Sequence, residues 1–240
     1  MGQDGTPGSG VAQIGALGDI HGAFDAARAI IGAHPDVPFW LCVGDIASDA
    51  GAYEPLGAPV YWIHGNNDNF DAIASGALPE DVHHMANGDV THLTWRATSA
   101  LRVAGLGGTF APTWYETSAP ELPHPKKGSA KATELADKRR HFVREDVERC
   151  KALRDIDIFL THEAAKPFRA FPGGRGPDAG KAQINEILAA MKPRLHLFGH
   201  HHRFSEQERD GVRSVGLDLV TRSYLLIDPV TLRYELHDSV

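Results

Sequence analysis

Five short apolar segments of the sequence each run directly into a loop that carries histidine, aspartate or asparagine. Continuous apolar runs of this length, bounded by glycine or proline, are typical of buried strands in parallel sheets. Open α/β sheets place their sites at the carboxyl ends of strands, so we expect the five loops to meet at one site. The segments are residues 11–17, 39–43, 60–63, 156–160 and 195–198.

The polar residues of these loops are of the kinds that bind metal ions. Nitrogen and oxygen ligands without thiolates suit Mn²⁺, Fe²⁺ or Zn²⁺. Seven ligands are too many for one ion but fit two ions that share a carboxylate, and Asp45, central by position, is the expected bridge. A single histidine or Gly-Asp pair is more often a core or turn residue, so the prediction depends on all five loops together. The candidate ligands are Asp19, His21, Asp45, Asn66, His162, His200 and His202.

Length and composition favour one α/β domain. The 240 residues, 42% of them hydrophobic, suffice for a sizeable core, which we place at residues 11–240. Residues 1–10 are mainly Gly, Pro, Ser and Asp and are expected to form a flexible N-terminal tail. The formal charge of -7 argues against a surface built for a long nucleic-acid backbone.

The two cysteines and the absence of long apolar stretches indicate a cytoplasmic protein. Cys42 and Cys150 are far apart in the sequence and lack a metal-type pairing, which favours free thiols in a reducing compartment. No stretch approaches the roughly 18 apolar residues of a membrane span, and the first ten residues lack the pattern of a signal peptide. We therefore expect no association with a membrane.

Weaker patterns suggest the remaining elements. Helices are predicted at residues 23–33 and 183–191, and a single charged helical stretch at 131–153. Antiparallel strands of a second sheet are predicted at 82–85, 90–95 and 101–106, and further antiparallel strands within 212–236. Residues 109–128 are predicted to form a long surface loop.

The five loops resemble the motifs of the calcineurin-like metallophosphoesterase superfamily, in the same order. The matching residues are Gly18-Asp19-x-His21, Gly44-Asp45, Gly65-Asn66-x-Asp68, Thr161-His162 and Gly199-His200-x-His202. The resemblance implies an αββα sandwich of two sheets with a dinuclear site at the strand carboxyl ends. It also implies that Asp19, His21, Asp45 and His202 hold one ion, and Asp45, Asn66, His162 and His200 the other.

The middle of the chain is similar to the RNA lariat-debranching branch of that superfamily. The similarity lies in residues 103–109, 139–144 and 157–163. It implies a phosphodiesterase, since enzymes of that branch cut 2′-5′ linkages. The sequence departs from the branch at Asp19, where cysteine is usual, and at Asn67, where the superfamily usually carries histidine.

The departure at Asn67 bears on how a leaving group is protonated. Two metal ions about 3.5 to 4 Å apart can share a hydroxide of lowered pKa, which attacks phosphorus in line. An amide such as that of Asn67 can donate a hydrogen bond but cannot supply a proton at neutral pH. His201 and His141 are the candidate acids. In the alternative interpretation, the alternation of side chains along the backbone turns the His201 ring away from the ions, and His141 lies on a solvated helix face.

These observations predict a metal-dependent phosphoester hydrolase, more specifically a phosphodiesterase. Two divalent ions are expected, Mn²⁺ first, with Fe²⁺, Zn²⁺ or Ni²⁺ as alternatives. The alternatives are a phosphomonoesterase and a binding scaffold without turnover. Scaffolds of this fold tend to lose metal ligands, and none of the seven is missing here. The expected partner is a small-molecule or nucleotide phosphoester. RNA binding stays open because acidic residues interleave with the basic ones of residues 126–148, and the oligomeric state is not predicted.

Overall fold

The computed structural model describes residues 12–125, 137–169 and 176–239. The predicted tail at residues 1–10 lies outside the described residues. So do residues 126–136, which belong to the predicted surface loop and the predicted charged helix.

Twelve strands and four α-helices make up the described chain. The strands are β1 (Ile14–Leu17), β2 (Trp40–Cys42), β3 (Val60–Trp62), β4 (Val82–His84), β5 (Val90–Arg96), β6 (Ser99–Leu106), β7 (Ile158–Thr161), β8 (Leu195–Phe198), β9 (Ser205–Arg209), β10 (Val212–Gly216), β11 (Ser223–Ile227) and β12 (Tyr234–Asp238). The helices are α1 (Phe24–Ala33), α2 (Phe70–Ser75), α3 (Arg144–Ala152) and α4 (Ala182–Met191), with short 3₁₀ turns at Ala119–Glu121 and Lys138–Arg140. No helix among the described residues is long and apolar enough to cross a membrane.

The strands form two mixed sheets of six. The first has the order β12-β11-β1-β2-β3-β4 and the second β5-β6-β7-β8-β10-β9. Strands β1 to β4 are parallel to one another, as are β6, β7, β8 and β10. The five strands that precede the polar loops are therefore the parallel strands that the sequence predicts.

Three apolar layers hold the two sheets and their helices together. Between the sheets, Leu41 and Ile63 pack with Leu160 and Leu197, all fully buried. On the outer face of the first sheet, α1 buries Phe24, Ala27, Ile30 and Ile31, which recur at helical spacing. On the outer face of the second sheet, α3 and α4 bury residues such as Val147 and Ile187. The predicted αββα sandwich is confirmed.

Two predictions about individual elements are wrong, and a third is confirmed only in part. Residues 82–85 were expected in an antiparallel portion of the second sheet, but β4 lies in the first sheet, parallel to β3. The stretch 131–153 is not one helix, because its described part consists of a 3₁₀ turn and the separate helix α3. Within 212–236, only β11 and β12 form the expected antiparallel pair, whereas β10 lies in the second sheet beside β8. An apolar pattern reports burial and does not identify the neighbouring strand.

The region predicted as a surface loop also contributes to the core. Tyr115 is 6% exposed and Leu122 is 5% exposed. The Tyr115 ring packs edge-on against the Phe142 ring, with the centroids 6.4 Å apart. This segment is therefore irregular in backbone but anchored by buried side chains.

Candidate metal centre

The polar loops meet at the carboxyl ends of the parallel strands of both sheets. Four of the candidate ligands have backbones in the left-handed region, at φ values of 47° for His21, 50° for Asp45, 69° for His200 and 47° for His202. Non-glycine residues adopt this conformation uncommonly and at a free-energy cost, and such residues cluster at functional sites. The loops are thus shaped to present side chains and not to minimise backbone strain.

Three of the candidate ligands form a half-exposed group, which we call the outer triad: Asp19, His21 and His202. His202 Nε2 lies 3.2 Å from Asp19 Oδ2, and His21 Nε2 lies 3.1 Å from His202 Nε2. The Asp19 side chain is 1% exposed, whereas His21 and His202 are 27% and 40% exposed.

A second group, the inner triad, consists of Asp45, His162 and His200. His162 Nε2 lies 3.4 Å from Asp45 Oδ2 and 3.1 Å from the Asn66 Oδ1 atom. The His162 and His200 rings are 4.9 Å apart, centroid to centroid. Asn66, the seventh predicted ligand, thus lies against this triad.

Asp45 lies between the two triads. Its Oδ2 atom is 3.4 Å from His162 Nε2 and 3.6 Å from His21 Nε2. The carboxylate therefore faces a nitrogen of each triad, which is the position that a bridging ligand requires.

The donor set fits divalent metal ions. Metal–nitrogen and metal–oxygen bonds of about 2.0 to 2.2 Å place the ligands of one ion roughly 3 to 3.5 Å apart. The 3.2 Å between His202 and Asp19 and the 3.4 Å between His162 and Asp45 agree with this spacing. Asp19 Oδ1 is buried and has no hydrogen-bond partner within the described residues. His162 Nδ1 lies 2.9 Å from the Val43 carbonyl oxygen, a contact that leaves Nε2 directed at Asp45. Such a partner on the second ring nitrogen is typical of metal-binding histidines.

Burial and charge shift the pKa values of the inner triad. Burial favours the neutral form of Asp45, but the charge and hydrogen bond of His162 outweigh it and hold the pKa of Asp45 below its usual range. Burial likewise opposes protonation of His162, and Asp45 overcomes it, so the pKa of His162 is raised. Burial and the charge of His162 lower the pKa of His200 to about 3. The triad is a strongly polarised cluster in which Asp45 and His162 are shielded from water.

Two glycines allow the carboxylates to approach the backbone. A Cβ atom on Gly65 would lie 2.0 Å from Asp45 Oδ1, and one on Gly199 would lie 2.3 Å from Asp19 Oδ1. Any side chain at either position would displace a candidate ligand. This explains why the ligand motifs contain glycine at these two positions.

Asp68 organises the Asp45 loop and was not among the predicted site residues. Its carboxylate accepts hydrogen bonds from the backbone N–H groups of Asp45, Ile46, Ala47 and Gly65. Burial and the charge of Asp45 raise the pKa of Asp68 to about 7, against the effect of these donors. The position of Asp68 in the Gly65-Asn66-x-Asp68 motif indicated a functional role. The sequence does not show that its carboxylate binds backbone N–H groups and not a metal ion.

Asn67 contacts the carboxylate of Asp45. Its Nδ2 donates to Asp45 Oδ2 over 2.9 Å, and its backbone N–H donates to Asp45 Oδ1 over 2.8 Å. The Asn67 side chain therefore positions the central carboxylate in this structure.

The two candidate acids lie in different surroundings. The His201 ring packs on Phe168, with centroids 4.5 Å apart, and burial together with the charge of Lys181 lowers the pKa of His201 to about 4. His141 lies in a cleft beside Asn66, and its Nδ1 is 3.0 Å from Thr109 Oγ1. Burial and the charge of Arg140 lower the pKa of His141 to about 4. His141 precedes α3 and does not lie on a solvated helix face.

Two clefts adjoin the centre. The larger, about 590 Å³, reaches His21 and Asn67, and we call it the acidic cleft because Asp49, Asp71 and Asp137 line it with Arg139. The smaller, about 310 Å³, we call the basic cleft. Its lining residues are Asn66, Thr109, Lys138, Arg140, His141, Glu163 and His200.

A two-sheet αββα sandwich with His/Asp triads at the strand ends defines the class of metal-dependent phosphoester hydrolases. The family model of the calcineurin-like phosphoesterases matches residues 12–204, and the chain belongs to this family. The family is dinuclear and metal-dependent, and the two triads are its candidate sites in this chain.

Solved structures share the fold at low sequence identity. The TT1561 protein of Thermus thermophilus is 17% identical, with 95% of this chain and 99% of that chain covered and a TM-score of 0.63. A dimetal phosphatase from Danio rerio is 11% identical, with coverage of 96% and 99% and a TM-score of 0.55. A phosphopantetheinyl hydrolase from Mycobacterium tuberculosis is 14% identical, with coverage of 87% and 90% and a TM-score of 0.51. No match was found among curated proteins.

Proposed function

We propose that the protein is a phosphodiesterase that uses two divalent metal ions. The observation that carries the proposal is the position of Asp45, whose Oδ2 atom faces His162 and His21 at 3.4 and 3.6 Å. Asp19, His21 and His202 would hold one ion with Asp45, and His162, His200 and Asn66 the other. Bound there, the ions would activate water and neutralise the phosphoryl oxygens.

The chain's own residues orient this centre. Asp68 accepts hydrogen bonds from three backbone N–H groups of the Asp45 loop and from the N–H of Gly65, beside Asn66. Asn67 donates to Asp45 Oδ2, and the Val43 carbonyl oxygen orients the ring of His162. These contacts fix the ligands before a substrate arrives, which lowers the reorganisation that the reaction requires.

The two clefts favour a diester over a monoester. One reaches the centre at His21 and Asn67 and the other at Asn66 and His200. A phosphodiester carries a substituent on each of two sides of phosphorus, whereas a monoester would leave one cleft without a function. Cleavage of a 2′-5′ linkage is a narrower form of the proposal, motivated by the motif similarity of residues 103–109 and 157–163.

Metal identity and location form part of the proposal. Mn²⁺ is the metal we expect, because the ligands are nitrogen and oxygen atoms without a thiolate. A cytoplasmic location agrees with the two free, buried thiols of Cys42 and Cys150.

Hydrolysis of bis(p-nitrophenyl) phosphate tests the proposal. We expect turnover by the Mn²⁺-loaded protein, at least about tenfold slower turnover of p-nitrophenyl phosphate, and loss of both after chelation. Parallel assays with 2′-5′, 3′-5′ and cyclic dinucleotides decide the linkage, and Fe²⁺, Zn²⁺ and Ni²⁺ are compared with Mn²⁺. No turnover of any phosphoester, together with less than one bound metal equivalent, would instead identify a binding scaffold.

A further inference from the structure

A buried cation lies beside the metal centre with part of its hydrogen-bonding capacity unused. Arg140 is 8% exposed, and its buried Nη1 atom has no hydrogen-bond partner within the described residues. Burying a guanidinium is strongly unfavourable unless an anion and hydrogen bonds compensate for the lost water. Arg140 therefore has the character of a ligand-binding residue more than of a stabilising one.

The basic cleft is also lined by an acid, Glu163, which is already engaged. Glu163 is 3% exposed; its Oε1 atom pairs with Lys181 Nζ at 3.1 Å, and its Oε2 accepts the Phe110 N–H at 2.6 Å. The charge of Glu163 is thus directed at Lys181. Among the described residues that line the basic cleft, Lys138 and Arg140 give it a positive character.

Backbone contacts hold Arg140 in place at the edge of the centre. Its carbonyl oxygen accepts the Thr109 N–H at 2.9 Å, and Thr109 Oγ1 lies 3.0 Å from His141 Nδ1. The same cleft is lined by Asn66 and His200, which belong to the proposed inner metal site. The backbone that carries Arg140 is thereby fixed at the edge of the centre, where the guanidinium can receive an anionic group next to the reacting phosphorus.

The residue beside the central carboxylate indicates what kind of leaving group the centre can serve. The Asn67 amide cannot transfer a proton at neutral pH, and its Nδ2 is already bonded to Asp45 Oδ2. His141, with its pKa lowered to about 4 by burial and Arg140, is neutral at pH 7. A departing alkoxide needs a proton, whereas a departing phosphate, with a second pKa near 6, is stable as an anion.

We infer that the basic cleft holds a second phosphate, linked to the reacting phosphorus through a bridging oxygen, so that the substrates are organic diphosphates. This inference rests on the proposed function and names its substrate class in place of the narrower 2′-5′ form, whose leaving group is an alkoxide. Water oxygen bonds to the phosphorus at the metal centre, and the bridging P–O bond breaks. Its electron pair stays on the departing phosphate, which Arg140 holds, and the protons of the water pass to the products and solvent.

A matched pair of substrates tests the leaving group. Diadenosine 5′,5′-diphosphate and 3′-5′ ApA both present a diester centre, but one releases a phosphate and the other an alkoxide. With Mn²⁺-loaded protein we expect kcat/KM at least about 100-fold higher for the diphosphate, the size of the effect of a general acid. Equal values, with bis(p-nitrophenyl) phosphate still hydrolysed, would overturn the inference and leave the proposed function standing.

Substitution of Arg140 tests the cleft itself. Arg140→Gln should raise KM for the diphosphate about tenfold or more, and by a clearly larger factor than KM for bis(p-nitrophenyl) phosphate, and Arg140→Lys should recover part of the loss. Arg144→Gln is the control, because Arg144 pairs with Glu116 outside the cleft. Arg140→Gln should melt at the same or a higher temperature, whereas a structural arginine would give a lower one.

Binding of methylenediphosphonate tests, independently of turnover, whether the basic cleft recognises diphosphates. Calorimetry on the Mn²⁺-loaded proteins should show binding to the wild type at least about tenfold tighter than to Arg140→Gln. Equal affinities would overturn the inference even if the wild type hydrolyses other phosphoesters. If the wild type hydrolyses nothing, the proposed function fails, and this binding difference still decides whether the cleft recognises diphosphates.

Discussion

The two triads contain the same kinds of side chain but differ in their access to water. In the inner triad the side chains of Asp45 and His162 are 1% and 0% exposed. In the outer triad His21 and His202 are 27% and 40% exposed, and only Asp19 is buried. Similar donors therefore lie at two depths of the same centre.

This difference in depth has consequences for metal exchange. In the inner triad Asp45 and His162 are closed to solvent and only His200 is partly exposed, and His162 is oriented by the Val43 carbonyl oxygen. Chelators and water reach the outer triad more readily through its exposed histidines. We therefore expect the inner ion to be retained during dialysis and the outer ion to exchange, with Asp45 common to both.

The largest effect is expected for Asp45, the inner-triad residue that also faces the outer triad. Asp45→Asn removes the charge that faces both His162 and His21, so neither ion should be held properly. Hydrolysis of bis(p-nitrophenyl) phosphate should fall by at least about 100-fold, and added Mn²⁺ should not restore it. Asp36→Asn, an exposed aspartate away from the centre, serves as the control and should keep full activity. Wild-type activity in Asp45→Asn would refute the bridging position.

Removal of an inner ligand is expected to have the next largest effect. His162→Ala deletes a fully buried imidazole and leaves the Asp45 carboxylate without its main counter-charge. Activity should fall by about 100-fold. After dialysis, inductively coupled plasma mass spectrometry should show the loss of one metal equivalent. Retention of two equivalents would contradict the assignment of His162 to the inner site.

The corresponding outer substitution should be milder and reversible. His202→Ala removes a ligand that is 40% exposed, and water can occupy the open position. Activity should fall by about tenfold and recover in excess Mn²⁺, unlike that of His162→Ala. The comparison of the two triads would be wrong if His202→Ala lost activity irreversibly while His162→Ala recovered.

The smallest effect concerns a buried histidine outside both triads. His196 lies between Thr161 Oγ1 at 2.8 Å and Ser214 Oγ at 2.9 Å, and burial lowers its pKa to about 3. Because the unfolded chain takes up a proton near pH 6.5 and the folded chain does not, stability should fall as the pH drops below that value. The melting temperature should drop less between pH 7 and pH 5 in His196→Gln than in the wild type. The acid sensitivity that remains then comes from other groups, such as His64 and His84, whose pKa values burial also lowers. An unchanged drop would exclude His196 as a contributor.

The parallel strands and their ligand loops could be predicted from the sequence. A run such as residues 60–63 is apolar throughout because both faces of the strand are covered, and a polar loop at its end is conspicuous. The seven candidate ligands were identified in this way, and the structure brings them together. Their roles as ligands stay predictions until metal is observed on them.

The elements that the sequence did not predict carry weaker signals. Strand β9, Ser205–Arg209, is an edge strand with polar and charged side chains, so it shows no apolar alternation. The position of the Arg140 backbone depends on its hydrogen bond with Thr109, which is distant in sequence. The role of Asp68 likewise depends on which N–H groups the fold places around its carboxylate. Tertiary contacts of this kind have no local pattern.

Anomalous diffraction from crystals of the Mn²⁺-loaded protein tests the central claim most directly. Two peaks about 3.5 to 4 Å apart are predicted, one among Asp19, His21 and His202 and one among Asp45, His162 and His200, with Asp45 contacting both. A single peak, or peaks away from these residues, would contradict the dinuclear centre on which the proposed function rests.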